Sequence, residues 1–315
     1  MSQKNFFRGT MWVICAFVLL VTGVYAQTDK DKNNSRVITI PVTVQADNER
    51  TRAIADKLLP QDFAITEDKH KQEIISIKKP TEAPIILSIL IQDDLVSHVG
   101  NEIKAIKEFI QHLPKGSLIM TGYITAGALR VTQPFTDDQA HAVESLRIPL
   151  SSTSASPYSP YTELLDALKL FEGKPLGKRM VLLISDGLDL SQGFNGGSPL
   201  SSLYLDQSIR EAQRSAIAVY SFYAPSVGLT TRNRLASMYG QDSLYHLAEQ
   251  TGGEAYYSGR DFVTFDSYLK EFSELIKNQW VITYRSAATS DGFHRIEVST
   301  DFDLHLNHPA GYYTK

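Results

Sequence analysis

Residues 83–97 (APIILSILIQDDLVS) constrain what this chain folds into more than any other stretch. Ile85, Ile86, Leu87, Ile89, Leu90 and Ile91 form an apolar run broken only by Ser88. Such a run suits a strand covered on both faces, as in the middle of a parallel sheet. It ends in two carboxylates, Asp93 and Asp94. Open α/β sheets bind ligands at the carboxyl ends of their strands. Charges placed there solvate, cap the next helix, or hold a cation.

The segments that follow alternate strand and helix. Val99, Ile103, Ile106, Ile110 and Leu113 recur at helical spacing, and Pro114 and Gly116 stop the pattern. Residues 117–125 read as a strand and 129–135 as a short edge strand. Residues 137–146 read as a helix opening on two carboxylates. A Ser/Pro-rich loop covers 151–160, and a helix 162–171. Residues 180–185 are a second buried strand, closed by Asp186-Gly187. A Gly/Ser loop (192–202), a helix (204–214), a third parallel strand (216–224) and a polar loop (225–234) follow. A helix over 245–251 ends at Gly252-Gly253, before a short strand at 254–257 and an amphipathic helix at 262–276.

Both ends of the chain carry β patterning. Residues 37–44 are rich in β-branched side chains, with Pro41 marking an edge or a bulge. Residues 59–68 lead to a turn at 67–69, and 73–78 form another strand. No helix is needed before Pro84. Residues 280–284, 295–299 and 303–306 alternate with period 2, and Gly311-Tyr312-Tyr313 closes the chain. Each end has too few strands to stand alone. The expected architecture is an α/β domain over 83–277 inserted between the halves, 37–80 and 279–315, of a small split β-sandwich.

Residues 1–26 read as a secretory signal: Lys4 and Arg8, an apolar stretch over 11–21, and Val24-Tyr25-Ala26 before Gln27. Residues 27–36 are a polar linker. Cleavage leaves no membrane span and places the protein in a periplasm or outside the cell; retention would leave an anchor. The one cysteine, Cys15, lies in this leader, so no disulfide or thiol chemistry is expected of the mature chain. The net charge of −4 becomes −6 once Lys4 and Arg8 are gone, so no basic surplus points to a nucleic-acid partner.

Three strand-to-helix turns then converge on one crevice and bring oxygen donors: Asp93 and Ser97, Thr162, and Asp186. Carboxylates with hydroxyls and no His or Cys suit Mg²⁺ or Mn²⁺. Ser97 and Thr162 also suit helix starts, Asp186-Gly187 suits a plain turn, and Asp94 suits solvent. Asp93, at the mouth of a buried strand, needs a partner. Tyr158, Tyr161 and Tyr204 border the crevice as a contact rim. Residues 173–179 look superficially like a phosphate loop but precede a strand instead of following one, and HExxH, GxSxG and zinc-ligand spacings are absent.

These segments resemble the von Willebrand factor type A (VWA) domain, whose metal ion-dependent adhesion site uses an Asp-x-Ser-x-Ser turn, a distant Thr and a distant Asp. The matching positions are the turn 93–97, the segment 162–168 and the strand 181–187. Over nearly all of the chain after the leader the sequence resembles acidobacterial-type VWFA-related proteins, most specifically at 59–68 (LPQDFAITED), 247–257 (LAEQTGGEAYY) and Gly311-Tyr312-Tyr313. The resemblance implies a doubly wound, mostly parallel Rossmann-like sheet. It also implies an exported interaction or adhesion module that binds a protein partner, through an acidic side chain if Mg²⁺ or Mn²⁺ is held by Asp93, Ser97, Thr162 and Asp186. Leu95 stands where the family has its first Ser, and a leucine cannot coordinate. Either water fills that position at lower affinity or the site is vestigial, as in an envelope or matrix scaffold. The loops 151–160, 187–202 and 225–234 would set specificity. An enzyme is not expected, since no base or nucleophile is placed for a hydrolase in the same crevice.

Overall fold

The computed structural model describes residues 36–46, 48–194, 197–257 and 264–314. The signal sequence expected over 1–26, and all of the linker except Arg36, lie outside the described residues. Among the described residues, no helix is long and apolar enough to cross a membrane.

The first strand, β1 (Arg36–Gln45), already includes the last residue assigned to the linker, Arg36 pairing with Ser286. A short helix follows, α1 (Glu49–Ala55), where none was expected. Its origin is local: Asn48 accepts from Thr51 N at 2.9 Å, and Asn48 N donates back to Thr51 Oγ1 at 3.1 Å. No residue of α1 is buried, so no apolar periodicity marks it in the sequence. Next come β2 (Phe63–Glu67), β3 (His70–Lys71) and β4 (Glu73–Lys78). Asp68 and Lys69, both at positive φ, make the two-residue turn between β2 and β3.

The α/β region runs β5 (Ile85–Gln92), α2 (Val99–Gln111), β6 (Leu118–Thr125), β7 (Ala128–Thr136), α3 (Gln139–Glu144), α4 (Pro160–Lys169) and β8 (Lys178–Ser185). It continues with α5 (Leu203–Arg214), β9 (Ile217–Tyr223), α6 (Arg234–Thr251), β10 (Ala255–Tyr256) and α7 (Phe265–Lys277). The six-stranded sheet has the order β10-β9-β8-β5-β6-β7. All neighbours are parallel except β6 and β7, so β7 is an antiparallel edge. Every residue of β5 is buried, as a central strand requires. Its side chains alternate between two cores. Ile85, Leu87, Ile89 and Ile91 pack with α2, α3 and α7, whereas Ile86 and Leu90 pack with α4, α5 and α6. The fold is a doubly wound, Rossmann-like α/β fold.

Helix α6 spans 18 residues, where the sequence suggested a helix only from 245. Asn233 caps it, accepting from Leu235 N at 2.9 Å and Ala236 N at 3.2 Å. Its first half is polar, with Leu235 and Met238 exposed, and so lacks the apolar stripe that marks the second half.

The chain ends with β11 (Gln279–Ser286), β12 (Gly292–Thr300), β13 (His305–Asn307) and β14 (Gly311–Thr314). Strands from the two ends form two four-stranded sheets, β13-β1-β11-β4 and β14-β12-β2-β3. Pro41 sits in β1 beyond the reach of β13, which pairs only from Thr43, so its outer flank is a local edge. A core of Ile40, Val42, Val44, Phe63, Ile65, Trp280 and Ile282 joins these sheets. They are tied to the α/β region through buried hydroxyls: Thr43 Oγ1 and Tyr220 OH lie 3.2 Å apart, and Gln279 Nε2 reaches each at 3.2 Å. The described residues fall within one compact unit.

Candidate functional site

Beyond β5 the period of the strand separates the acids. Asp93 turns toward α3 and the segment after it. It is fully buried, and Arg147 grips it with two parallel bonds, Nη1 to Oδ1 and Nη2 to Oδ2, each 2.7 Å. Leu150 N donates to Asp93 Oδ1 at 3.1 Å and Ser151 N to its carbonyl at 2.8 Å. The Arg147 guanidinium lies 3.8 Å from the centre of the Tyr123 ring. Hydrogen bonding to Asp93 pushes the Arg147 pKa up. The partner that Asp93 requires is therefore an arginine.

Gln92 and Asp94 face the other way, toward the end of β8. Gln92 Nε2 donates to Asp94 Oδ1 at 2.7 Å and to Asp186 Oδ1 at 3.1 Å, while Gln92 Oε1 accepts from Ser185 Oγ at 2.5 Å. Asp186 Oδ1 also accepts from Leu188 N at 3.2 Å, and its Oδ2 accepts from Thr230 Oγ1 at 3.2 Å. Burial, followed by the charge of Asp94, pushes the Asp186 carboxyl up to about 6; burial also raises Asp94, against the pull of Ser156 and Gln92. Asp94 is wholly buried, not solvated as its sequence context suggested.

The loop after β9 closes over this pair. Val96 N donates to Pro225 O and Val227 N to Asp94 O, both at 2.9 Å, and Leu95 bridges to Ser226. Ser226 Oγ lies 3.0 Å from Thr230 Oγ1, the hydroxyl that reaches Asp186. Two glycines make the approach feasible. Gly187 turns the chain at φ 66°, and a Cβ on Gly240 of α6 would stand 1.9 Å from the Asp186 carbonyl oxygen.

The expected metal shell of Asp93, Ser97, Thr162 and Asp186 does not assemble in this form. Asp93 belongs to Arg147, and the second acid beside Asp186 is Asp94. Ser97 is exposed, and α2 starts after His98 without a side-chain cap. Thr162 is exposed in the first turn of α4, which begins at Pro160 after Ser159; the hydroxyl on Asp186 is that of Thr230. Leu95 is buried in the apolar core on the α2 side. The oxygens of Asp93 and Asp186 are committed to protein donors, so this donor set does not fit a ready octahedral Mg²⁺ or Mn²⁺ shell. Of the tyrosine rim, only Tyr158 is exposed. Tyr161 is fully buried with its hydroxyl on Gly187 O at 2.8 Å, and Tyr204 packs against the core.

Sequence reasoning missed Arg147, Gln92 and Thr230. Gln92 carried a signal: a polar residue two before Asp94 on a strand shares its face. Arg147 and Thr230 lie in irregular segments with no periodicity to aim them.

No family model matches the chain, and no curated protein matches it. Among solved structures, an aerotolerance-related membrane protein from Bacteroides fragilis is similar over 62% of this chain and 98% of its own, at 14% identity and a TM-score of 0.43. The manganese-loaded TRAP protein of Plasmodium vivax is similar over 81% of this chain and 100% of its own, at 9% identity and a TM-score of 0.41. The VWA domain of SpRpn10 is similar over 60% of this chain and 95% of its own, at 8% identity and a TM-score of 0.40. Likeness this faint bears on neither ligand nor partner. The strand order of the α/β region, with the single antiparallel edge β7, is that of a doubly wound, mostly parallel sheet.

Proposed function

We propose that this VWA-type domain is a binding module, not an enzyme, and that it docks a protein partner at the carboxyl edge of its sheet without a metal ion. The observation that carries this reading is the loop after α3. Arg147, Leu150 and Ser151 fasten it to Asp93, yet Ile148, Leu150 and Tyr158 stand 63%, 60% and 78% exposed. Large apolar side chains on an anchored loop lose little entropy when covered by a partner, and aromatic anchors dominate such contacts. Leu229, 41% exposed on the loop that covers Asp186, adds to the same edge. Under this reading Arg147 answers the charge of Asp93, and Gln92 ties Asp94 to Asp186. The leader over 1–26 supports action outside the cytoplasm.

The test is affinity capture, from the envelope and exterior of the exporting cell, of partners bound to the mature protein. Capture should persist in EDTA and in Asp186→Asn, and fall at least tenfold in Leu150→Ser with Tyr158→Ser. Loss of capture on chelation would instead establish a metal-dependent adhesion site. Capture indifferent to the loop changes would place the contact elsewhere and favour the scaffold reading.

A further inference from the structure

A second cluster lies far along the chain from the sheet edge, where β2, β12 and β14 meet. Glu67 is 2% exposed, in the β-sheet core. Three hydroxyls donate to it: Ser286 Oγ at 2.7 Å, Tyr284 OH at 2.8 Å and Tyr312 OH at 3.1 Å. The basic group facing it is His294, also 2% exposed, whose Nδ1 stands 3.9 Å from Glu67 Oε1 and 2.7 Å from Asp68 Oδ2. One ligand atom from each of Glu67, Asp68 and His294 lies within 4.8 Å of the others.

We propose that Glu67, Asp68 and His294 bind a divalent transition-metal ion, best matched by Zn²⁺. Three features support it. First, the imidazole is oriented as in metal sites: Nδ1 points into the cluster, and Nε2 faces the carbonyl oxygen of Ser290 at 3.1 Å, where it donates. A backbone carbonyl on the far nitrogen fixes the tautomer that leaves Nδ1 free to coordinate. Second, the charge is incomplete. Two acidic side chains meet one imidazole here. The nearby Arg36 is engaged with Asp291 at 3.5 Å and Ser290 O at 3.3 Å. A divalent ion on a neutral imidazole matches two carboxylates in charge. Third, coordination space remains. A carboxylate offers about four lone-pair sites and the hydroxyls on Glu67 take three, while the Asp68 side chain is 45% exposed and leaves an open side for water. One nitrogen with two carboxylates is a borderline donor set that suits Zn²⁺ better than Mg²⁺ or Ca²⁺. The ion would clamp the β2–β3 turn to β12.

The ion takes the place between Nδ1 and the two carboxylates, and any proton on Nδ1 leaves to solvent. Calorimetric titration of the chelator-stripped mature protein with ZnCl₂ reads the stoichiometry. We expect one ion bound and no comparable response to MgCl₂. Co²⁺ should give visible ligand-field bands. Asp68→Asn keeps the turn, because its amide oxygen can still accept from Arg295 N, and should weaken Zn²⁺ at least tenfold. His294→Gln should abolish binding, and Asp186→Asn should leave it unchanged. Absence of Zn²⁺ binding, or binding indifferent to Asp68→Asn, would overturn the proposal. The Asp68→Asn arm decides the matter even if His294→Gln fails to fold.

Discussion

Asp94 and Asp186, just beyond the ends of different strands, accept hydrogen bonds from the same amide nitrogen of Gln92, at 2.7 Å and 3.1 Å. One neutral donor shared between two buried acids does not offset two charges. The pair therefore favours holding a proton, which is why the Asp186 carboxyl lies near 6.

A stability consequence follows for Asp186→Asn. A carboxyl raised in the fold above its unfolded value favours the protonated state. Its contribution is full below about pH 4 and is lost as pH rises through about 6. Asparagine keeps an oxygen for Gln92 and Leu188 and can donate its amide to Thr230. The variant should be more stable than the parent at pH 7.5, by on the order of 2 kcal/mol. The gain should vanish by pH 4. Urea unfolding at both values measures this; a variant destabilised at pH 7.5 would refute it.

Glu163 gives an independent case. It is 3% exposed on α4, and burial pushes its carboxyl up to about 7. The sign is the same, with the window between about pH 4.5 and 7. Glu163→Gln should stabilise the protein at pH 8 by on the order of 1 to 3 kcal/mol and leave it unchanged at pH 4.5. Equal effects at both pH values would mean that packing, not charge, sets the result.

Loss of Arg147 leaves a charge stranded. Arg147→Met would leave Asp93, fully buried, with only backbone donors. The expected cost is about 2 to 3 kcal/mol, at or below the range for wholly buried pairs because the Arg147 side chain is 38% exposed. Adding Asp93→Asn should restore part of it. A double mutant no better than Arg147→Met alone would show that the two residues are not coupled.

Gly240→Ala tests the packing beneath Asp186. Its Cβ would overlap the Asp186 carbonyl, which stands at 1.9 Å, so α6 or the β8 end must move. Overpacking of this kind costs about 3 kcal/mol. A melting temperature unchanged within a degree or two would show that the helix yields freely.

Much of the fold was legible in the sequence because its central strands carry continuous apolar runs. β5 and β8 are buried along their whole length, and no other element explains such runs. Helix α1 was not legible, since hydrogen bonds at Asn48 and Thr51 define it and nothing apolar does. At the site, the turn Asp93-Asp94 and Asp186 were found because they terminate those runs. Their roles were not, because which acid meets Asp186 depends on one step of strand alternation and on Arg147, a residue from a segment without periodicity. An arginine answers Asp93, while Asp94 and Asp186 share one glutamine amide.

The alignment of β1 with β11 bears on how the molecule comes into being. Arg36 lies opposite Ser286 and Thr43 opposite Gln279, while the other neighbour of β1, β13, is also among the last segments. On a ribosome or emerging from a translocation pore, β1 has no hydrogen-bonding neighbour until β11 and β13, which follow the whole α/β region, have emerged. Closure across so long a separation is slow, and during that interval the leading edge is open to chaperones or to self-association. The sheet that β1 opens thus waits on strands made after the entire α/β region.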